Sequence, residues 1–192
     1  MISFEHKYIF VHVGRTGGTS FERAAGVPVT SDLRTRFLGN CDFNEKHKNF
    51  EYYRTNYPGE FDSFFKFTIV RNPFDRLVSR WLWRTTVLKE TKWVDFKQFI
   101  ETRPISSKYS EFYKLSEKSI IESVNQFDFI GRFEDIQNTY KFLCHRFKIQ
   151  ECNIPHTNKT ILHNYKDYYN SDTVKLVKKI YHIDLDLFDY DF

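Results

Sequence analysis

Cysteine, glycine and proline are all scarce in this sequence of 192 residues. The three cysteines, Cys41, Cys144 and Cys152, lie far apart and form neither a CxxC pair nor a metal-ligand pattern. Such an odd, low count suits a reducing compartment. Seven glycines and five prolines are too few for a collagen-like or low-complexity chain.

Long apolar runs are missing as well. The N-terminal stretch MISFEHKYIF has no basic region followed by a long apolar segment, so it is not a secretory signal. The longest uncharged apolar runs are far too short to cross a membrane. We therefore expect a soluble, cytoplasmic protein with no membrane segment.

The excess of positive charge is small. Lys and Arg number 29 against 25 Asp and Glu, giving a net charge of +4, which does not indicate a nucleic-acid partner. Basic residues nevertheless outnumber acidic ones between Arg71 and Arg103, which favours a local anion site. The length, without internal repeats or a linker, predicts a single domain over residues 1–192, and the sequence leaves the oligomeric state open.

Aromatic residues are plentiful, with 21 Phe, 12 Tyr and 3 Trp, so the core is expected to consist largely of rings. Apolar, β-rich runs are each followed by a segment with helical features, and a last helix begins near Ser171. This alternation predicts an α/β fold with a parallel sheet. The predicted strands are 8–13, 64–70 and 127–133, and the helices after them are 20–25, 73–88 and 134–147.

The first strand runs into GRTGGTS, residues 14–20. Small residues and the backbone N–H groups at a helix start form an anion cradle, to which Arg15 adds a permanent charge. A tight turn without a ligand is the alternative, and the flanking Arg and hydroxyl residues favour a phosphate or sulfate site over it. The loop is not a nucleoside triphosphate loop, because Thr19 and Ser20 stand where that motif needs Gly and Lys.

The second strand ends at Arg71. Asn72 is a good N-cap and Pro73 fits the first helical position, so a helix is predicted to begin here. Ser79 follows Asn72 by two helical turns, which lets Arg71 and Ser79 hold one phosphate between them. Arg80 and Arg84 are interpreted instead as part of a solvated or ion-paired helix face.

Several segments together carry a family resemblance. IFVHVGRTGGTSFE resembles the 5′-phosphosulfate loop of sulfotransferases, whose usual form is FVHVPKTGGTS. FKFTIVRNPFDRLVSRW resembles their 3′-phosphate motif, and FDFIGRFEDI resembles a later strand and turn. NKT, residues 158–160, and IYHIDLDLFDYDF, residues 180–192, resemble the closing segment of the family. The chain is similar to the heparan- and chondroitin-type carbohydrate sulfotransferases, with the match extending over the chain except for residues 84–120.

The resemblance implies a P-loop NTPase-like, three-layer α/β fold with a central, mostly parallel sheet. It also implies 3′-phosphoadenosine 5′-phosphosulfate (PAPS) as the sulfuryl donor, with PAP as the product and no metal required. The residues expected to hold the 5′-phosphosulfate are Arg15, Thr16, Gly17, Gly18, Thr19 and Ser20. Arg71 and Ser79 are expected to hold the 3′-phosphate, and Lys159 and Thr160 to close over the nucleotide.

Two departures from the family pattern concern the reacting groups. Gly14 replaces the usual Pro, and Arg15 replaces the usual Lys. Arginine keeps the positive charge but is a poor proton donor, because its pKa lies above about 12. Arg15 is therefore expected to act in catalysis through its charge.

The acceptor hydroxyl must lose a proton, which calls for a general base. His47 is the candidate, since the family commonly places its base histidine in this connection; the alternative is a surface histidine within EKHK. Glu22 and Glu45 are further candidates. His12, in the first strand, is expected to be a core residue.

The sequence thus predicts a PAPS-dependent sulfotransferase that acts on a hydroxyl group, with a carbohydrate as the expected acceptor. Trp and Tyr residues around 81–113 are candidates for stacking on sugar rings. A nucleotide-dependent kinase on the same fold is one alternative. A catalytically inactive PAPS- or PAP-binding module is another, which the substitution at Arg15 keeps open.

Overall fold

The described strands of the chain form one mostly parallel sheet. The computed structural model describes residues 1–18, 47–102, 108–148 and 164–192. Within those residues the sheet has four strands in the order β1-β2-β3-β4, of which β1–β2 is antiparallel and β2–β3 and β3–β4 are parallel. The strands are β1 (Ile2–Ser3), β2 (Tyr8–Val11), β3 (Phe65–Val70) and β4 (Phe129–Arg132).

Helices follow the parallel strands in the order that the sequence predicts, which confirms a mixed α/β fold. The predicted helix at 20–25 lies outside the described residues. The described helices are α1 (Phe50–Asn56), α2 (Pro58–Ser63), α3 (Pro73–Leu82), α4 (Phe96–Thr102), α5 (Tyr109–Tyr113), α6 (Ile120–Val124), α7 (Ile136–Phe147) and α8 (Ser171–Phe188).

The chain packs as two compact units, each built from two segments. Unit 1 comprises Met1–Val70 and Phe112–Thr157, and unit 2 comprises Arg71–Glu111 and Asn158–Phe192. The single domain expected from the length stays a prediction.

Unit 1 is built around the buried strand β2, whose four residues are all inaccessible to solvent. Phe10 of β2 lies opposite Phe67 of β3, and their rings stack with centroids 4.6 Å apart. Tyr140 and Leu143 of α7 cover the same cluster. Burial of each such side chain stabilises the fold by about 2–3 kcal/mol. The core of unit 1 therefore consists largely of aromatic rings, as the composition predicts.

Unit 2 is held together by three helices. Phe74 and Leu77 of α3, Phe99 of α4, and Val177 and Tyr181 of α8 form one buried cluster. Val177 and Tyr181 are four residues apart, so they lie on the same face of α8. The N-cap Asn170 determines where α8 begins, because its side chain accepts hydrogen bonds from the N–H groups of Asp172 and Thr173.

Helix α3 begins as predicted and ends differently. The Asn72 side chain accepts a hydrogen bond from the Phe74 N–H, and Pro73 occupies the first turn. The sequence predicts a helix to about Leu88, but α-helical geometry stops at Leu82 and a π-helical turn, Trp83–Val87, follows. The Thr85 hydroxyl donates to the Trp81 carbonyl at 2.9 Å, so a side chain competes for the helical acceptors where the geometry changes.

Candidate active site

The loop that leaves β2 has an unusual backbone. His12 and Val13 are buried, and the chain then turns through residues 14–17 and reaches helical conformation at Gly18. Arg15 has φ +72° and Gly17 has φ +85°, both in the left-handed region. A residue with a side chain, such as Arg15, pays about 1–2 kcal/mol for this conformation. Strain of this kind is concentrated at functional sites.

Gly18 packs directly against the ring of His12. A Cβ atom at Gly18 would lie 2.1 Å from Nε2 of His12, a distance that no real side chain tolerates. At Gly17 a Cβ would lie 2.9 Å from the Phe133 ring. The two adjacent glycines therefore let the loop backbone lie against two rings, which accounts for the Gly-Gly pair of the predicted phosphosulfate loop.

Thr16 closes the loop from inside. Its side chain is fully buried, and Oγ1 donates a hydrogen bond to the carbonyl of Val13 at 2.8 Å. The hydroxyl proton of Thr16 is thus used within the loop. Its expected contact with a phosphosulfate stays a prediction.

His47 lies beside this loop, just before the N-cap of α1. Its Nδ1 is 3.0 Å from the main-chain oxygen of His12, and the two imidazole rings are 4.8 Å apart. A carbonyl oxygen only accepts hydrogen bonds, so Nδ1 carries the hydrogen and the lone pair of the neutral ring is on Nε2. His47 is exposed, whereas His12 is 2% exposed and belongs to the core, as expected.

In unit 2, Arg71 is oriented by an acidic neighbour. Its Nε donates to Oδ2 of Asp75 at 2.7 Å, and 12% of its side chain is exposed. This bond uses one of the five N–H donors of the guanidinium group. Ser79 is buried on α3, and its sharing of a phosphate with Arg71 stays a prediction.

The peptide of Arg71 is bound by a residue that the sequence did not suggest. The Tyr109 hydroxyl accepts from the N–H of Arg71 at 2.8 Å and donates to its carbonyl at 2.9 Å. Burial raises the pKa of Tyr109 to about 12 and also raises the pKa of Asp184, whose carboxylate accepts from the Tyr109 N–H. No local pattern identifies these partners, since 38 residues separate Tyr109 from Arg71.

Two further expectations concern the region after α3. Arg84 is ion-paired with both carboxylate oxygens of Glu90, at 2.6 and 2.9 Å, which agrees with its interpretation as part of a paired face. The expectation of sugar stacking is wrong for Tyr109 and Tyr113, because both rings are fully buried. Their hydroxyls are used within the core, so their rings present no face to a sugar.

Several predicted site residues lie outside the described residues, and their roles stay predictions. They are the two last residues of the loop, the two residues expected to close over the nucleotide and the two further candidates for the base, namely Thr19, Ser20, Lys159, Thr160, Glu22 and Glu45.

Neither a metal-binding cluster nor a membrane-spanning helix occurs in the parts of the chain that the structure describes. No group of three His, Cys, Asp or Glu side chains there is arranged to hold a metal ion. Among the helices of those same parts, none combines the length and the apolar character needed to cross a membrane.

Comparison with known proteins places the loop in a wider context. The model of the family described as "Sulfotransferase family" matches residues 1–191 of the chain. No curated protein matches the sequence. Among solved structures, the chain is similar to a sulfotransferase from Alicyclobacillus acidocaldarius, at 13% identity over 96% of this chain and 98% of that one, with a TM-score of 0.43.

Proposed function

Because the chain belongs to the sulfotransferase family, we propose that it transfers a sulfuryl group from PAPS to a hydroxyl group on a carbohydrate. The assignment of sulfuryl transfer as the reaction rests on membership of this family. PAPS is proposed because the family generally uses it. The P-loop NTPase-like, three-layer fold is part of the same proposal, supported by the parallel strands and by the glycine loop that follows β2.

The loop after β2 fits the phosphosulfate end of such a donor. Apart from its chain neighbours, a Cβ atom at Gly14 would meet no atom of the described residues within 4 Å, so the backbone there faces space that a ligand can occupy. Arg15, next in the chain, brings a permanent positive charge whose planar fork matches two anionic oxygens. When bound, the donor supplies the sulfuryl group and a leaving oxygen on which negative charge grows.

Arg15 acts through its charge in this proposal. A preorganised cation beside a leaving oxygen is worth about 3–4 kcal/mol of transition-state stabilisation in comparable sites. Its guanidinium stays protonated at any physiological pH, so protonation of the leaving group is left to other donors or to water.

The observation that carries the proposal is the hydrogen bond between His47 Nδ1 and the His12 carbonyl. It fixes the tautomer that a general base needs, with the lone pair on Nε2, and it fixes this ring beside the loop that contains Gly18. Because His47 is exposed, an acceptor hydroxyl can reach it. Sulfuryl transfer to a hydroxyl group requires a base that removes the hydroxyl proton close to the bound donor, and His47 beside the loop meets that requirement.

Arg71 and Ser79 are proposed to hold the 3′-phosphate of the donor. The support is the motif that they share with the family, together with the orientation of the Arg71 guanidinium by Asp75. Lys159, Thr160, Thr19 and Ser20 complete the proposed donor contacts on the strength of the sequence motifs alone.

Carbohydrate is proposed as the acceptor because the motifs resemble those of carbohydrate sulfotransferases. Because Tyr109 and Tyr113 are buried, the aromatic residues left for sugar stacking are the three tryptophans Trp81, Trp83 and Trp93, which are half-buried. Lys92 lies 4.6 Å from the Trp93 ring centroid, so a basic side chain accompanies one of these rings.

The proposal is tested with ³⁵S-labelled PAPS and a panel of desulfated glycans, with and without EDTA. We expect label to appear in a glycan and to persist in the chelator. Binding of PAPS or PAP without transfer to any acceptor would support the inactive module instead. Phosphorylation of an acceptor that depends on ATP and magnesium would support the kinase.

A further inference from the structure

A single buried hydroxyl ties together the two ends of the Arg71 backbone. Because the Tyr109 oxygen accepts from the Arg71 N–H at 2.8 Å and donates to the Arg71 carbonyl at 2.9 Å, it restrains rotation on both sides of the Arg71 Cα. Those two rotations set the direction in which the side chain leaves the backbone. The direction of the Arg71 guanidinium therefore depends on where Tyr109 is held.

Tyr109 is itself anchored by a buried carboxylate. Asp184, which is inaccessible to solvent, accepts from the N–H of Tyr109 at 2.6 Å and from the N–H of Ser110 at 2.9 Å. Hydrogen bonds to a charged acceptor are shorter and stronger than neutral ones. The backbone at the start of α5 is thus fixed to the interior face of α8.

The Tyr109 ring is held as firmly as its backbone. The Arg76 guanidinium lies 4.2 Å from the ring centroid, and the Phe188 ring packs edge-on at 5.5 Å. Arg76 is 2% exposed, so this cation–π contact is desolvated and correspondingly strong. Tyr109 therefore has fixed contacts at its backbone, its ring and its hydroxyl group.

We propose that Tyr109 is a positioning residue that aims Arg71 at the 3′-phosphate and thereby sets the preference for nucleotides that carry one. The inference rests on the proposed function, in which Arg71 holds that phosphate. A guanidinium recognises two phosphate oxygens only in a narrow range of directions, so a residue that fixes its backbone controls affinity for that group. The rest of the nucleotide is recognised elsewhere.

The test is Tyr109→Phe, which removes the hydroxyl and keeps the ring on which Arg76 and Phe188 pack. Dissociation constants are measured by calorimetry for PAP and for AMP, which lacks the 3′-phosphate. Loss of the two hydrogen bonds to the Arg71 peptide should weaken PAP binding about ten-fold and leave AMP binding unchanged. A purely structural role would weaken the binding of both nucleotides to the same extent.

Tyr113→Phe is the matched control. Tyr113 lies on the same short helix, is equally buried, and makes a hydrogen bond of 2.7 Å to Thr68 of β3. Loss of this bond to Thr68 should lower the melting temperature while the PAP-to-AMP ratio stays as in the wild type.

Asp184→Asn is a second, independent test of the positioning role of Tyr109. The amide keeps the shape of the carboxylate but presents a donor to one of the two N–H groups, which loosens Tyr109 without touching its ring. We expect the same selective loss of PAP binding, with a smaller effect than in Tyr109→Phe.

The outcomes separate the two proposals. A wild-type chain that binds neither PAP nor PAPS overturns the proposed function and this inference with it. A wild type that prefers PAP, with a folded Tyr109→Phe variant that keeps the same preference, overturns the inference alone. If both the tyrosine and the aspartate variants fail to fold, Tyr109 acts as a core residue and the positioning role is likewise overturned.

Discussion

The Nδ1 atom of His47 lies 3.0 Å from the main-chain oxygen of His12, although 35 residues separate the two histidines. This contact joins a residue before α1 to the end of β2, immediately ahead of the glycine loop. Because the carbonyl oxygen can only accept a hydrogen bond, the contact places the ring hydrogen of neutral His47 on Nδ1 and its lone pair on Nε2.

Replacing His47 with Asn should lower kcat by about 10²–10⁴-fold, the usual contribution of a general base. Binding of PAP should remain, because the variant leaves the loop residues unchanged. Turnover is followed by transfer of ³⁵S label and binding by calorimetry. His145→Asn is the control, since that histidine is exposed in the last turn of α7. Equal turnover in the wild type and His47→Asn would contradict a base role.

Gly18→Ala should destabilise unit 1 and weaken PAP binding. Its Cβ would lie 2.1 Å from the His12 ring, and forcing an extra methyl into a packed site costs about 1–3 kcal/mol. Gly14→Ala is the matched control, because a Cβ there meets no described residue within 4 Å other than its chain neighbours. Chemical denaturation of the two variants should therefore separate them, and similar stabilities would argue against the close approach of Gly18 to His12.

Thr16→Val should destabilise the protein by about 1–3 kcal/mol, since it removes the buried hydroxyl that satisfies the Val13 carbonyl and keeps the shape of the side chain. Thr16→Ser keeps the hydroxyl and should recover most of that loss. Urea unfolding of both variants is the measurement. A valine variant as stable as the wild type would show that the hydrogen bond does not hold the loop.

Arg15→Lys should keep transfer within about three-fold of the wild type, because the positive charge is retained, whereas Arg15→Ala should lose about 10²–10³-fold. The comparison of kcat values at saturating PAPS tests whether Arg15 acts through charge. A lysine variant that is more than ten-fold faster than the wild type would indicate instead that proton donation limits the natural chain.

Stability should fall between pH 10 and about 12 through Tyr109. An ordinary tyrosine ionises near pH 10, whereas burial raises the pKa of Tyr109 to about 12, so the unfolded chain loses this proton first. The corresponding stability, about 2–3 kcal/mol, is fully present below pH 10 and is lost as the pH rises. The free energy of unfolding is measured by urea titration from pH 9 upward.

Between pH 10 and about 12, the Tyr109→Phe variant should lose less free energy of unfolding than the wild type, because phenylalanine has no proton to lose. Other ionisable groups contribute equally to both proteins and cancel in the difference. Parallel pH profiles would show that Tyr109 does not titrate as a buried phenol.

Much of the fold followed from short stretches of sequence. The apolar runs at 8–13 and 64–70 became β2 and β3, and Asn72 and Pro73 begin α3 as their types predict. These features depend on neighbouring residues alone, so local patterns suffice to identify them. The end of α3 differs from the prediction, because the threonine hydroxyls that compete for its carbonyls are not visible in the apolar periodicity.

The residue order alone revealed the family motifs and predicted functional roles for Gly17, Gly18 and Arg15. It did not establish that His12 packs on Gly18, that His47 is fixed by a carbonyl 35 residues away, or that Asp184 anchors Tyr109 across 75 residues. Such partners meet only when distant segments pack against each other. Their hydrogen bonds are selected by the burial of the whole unit, which no local spacing encodes.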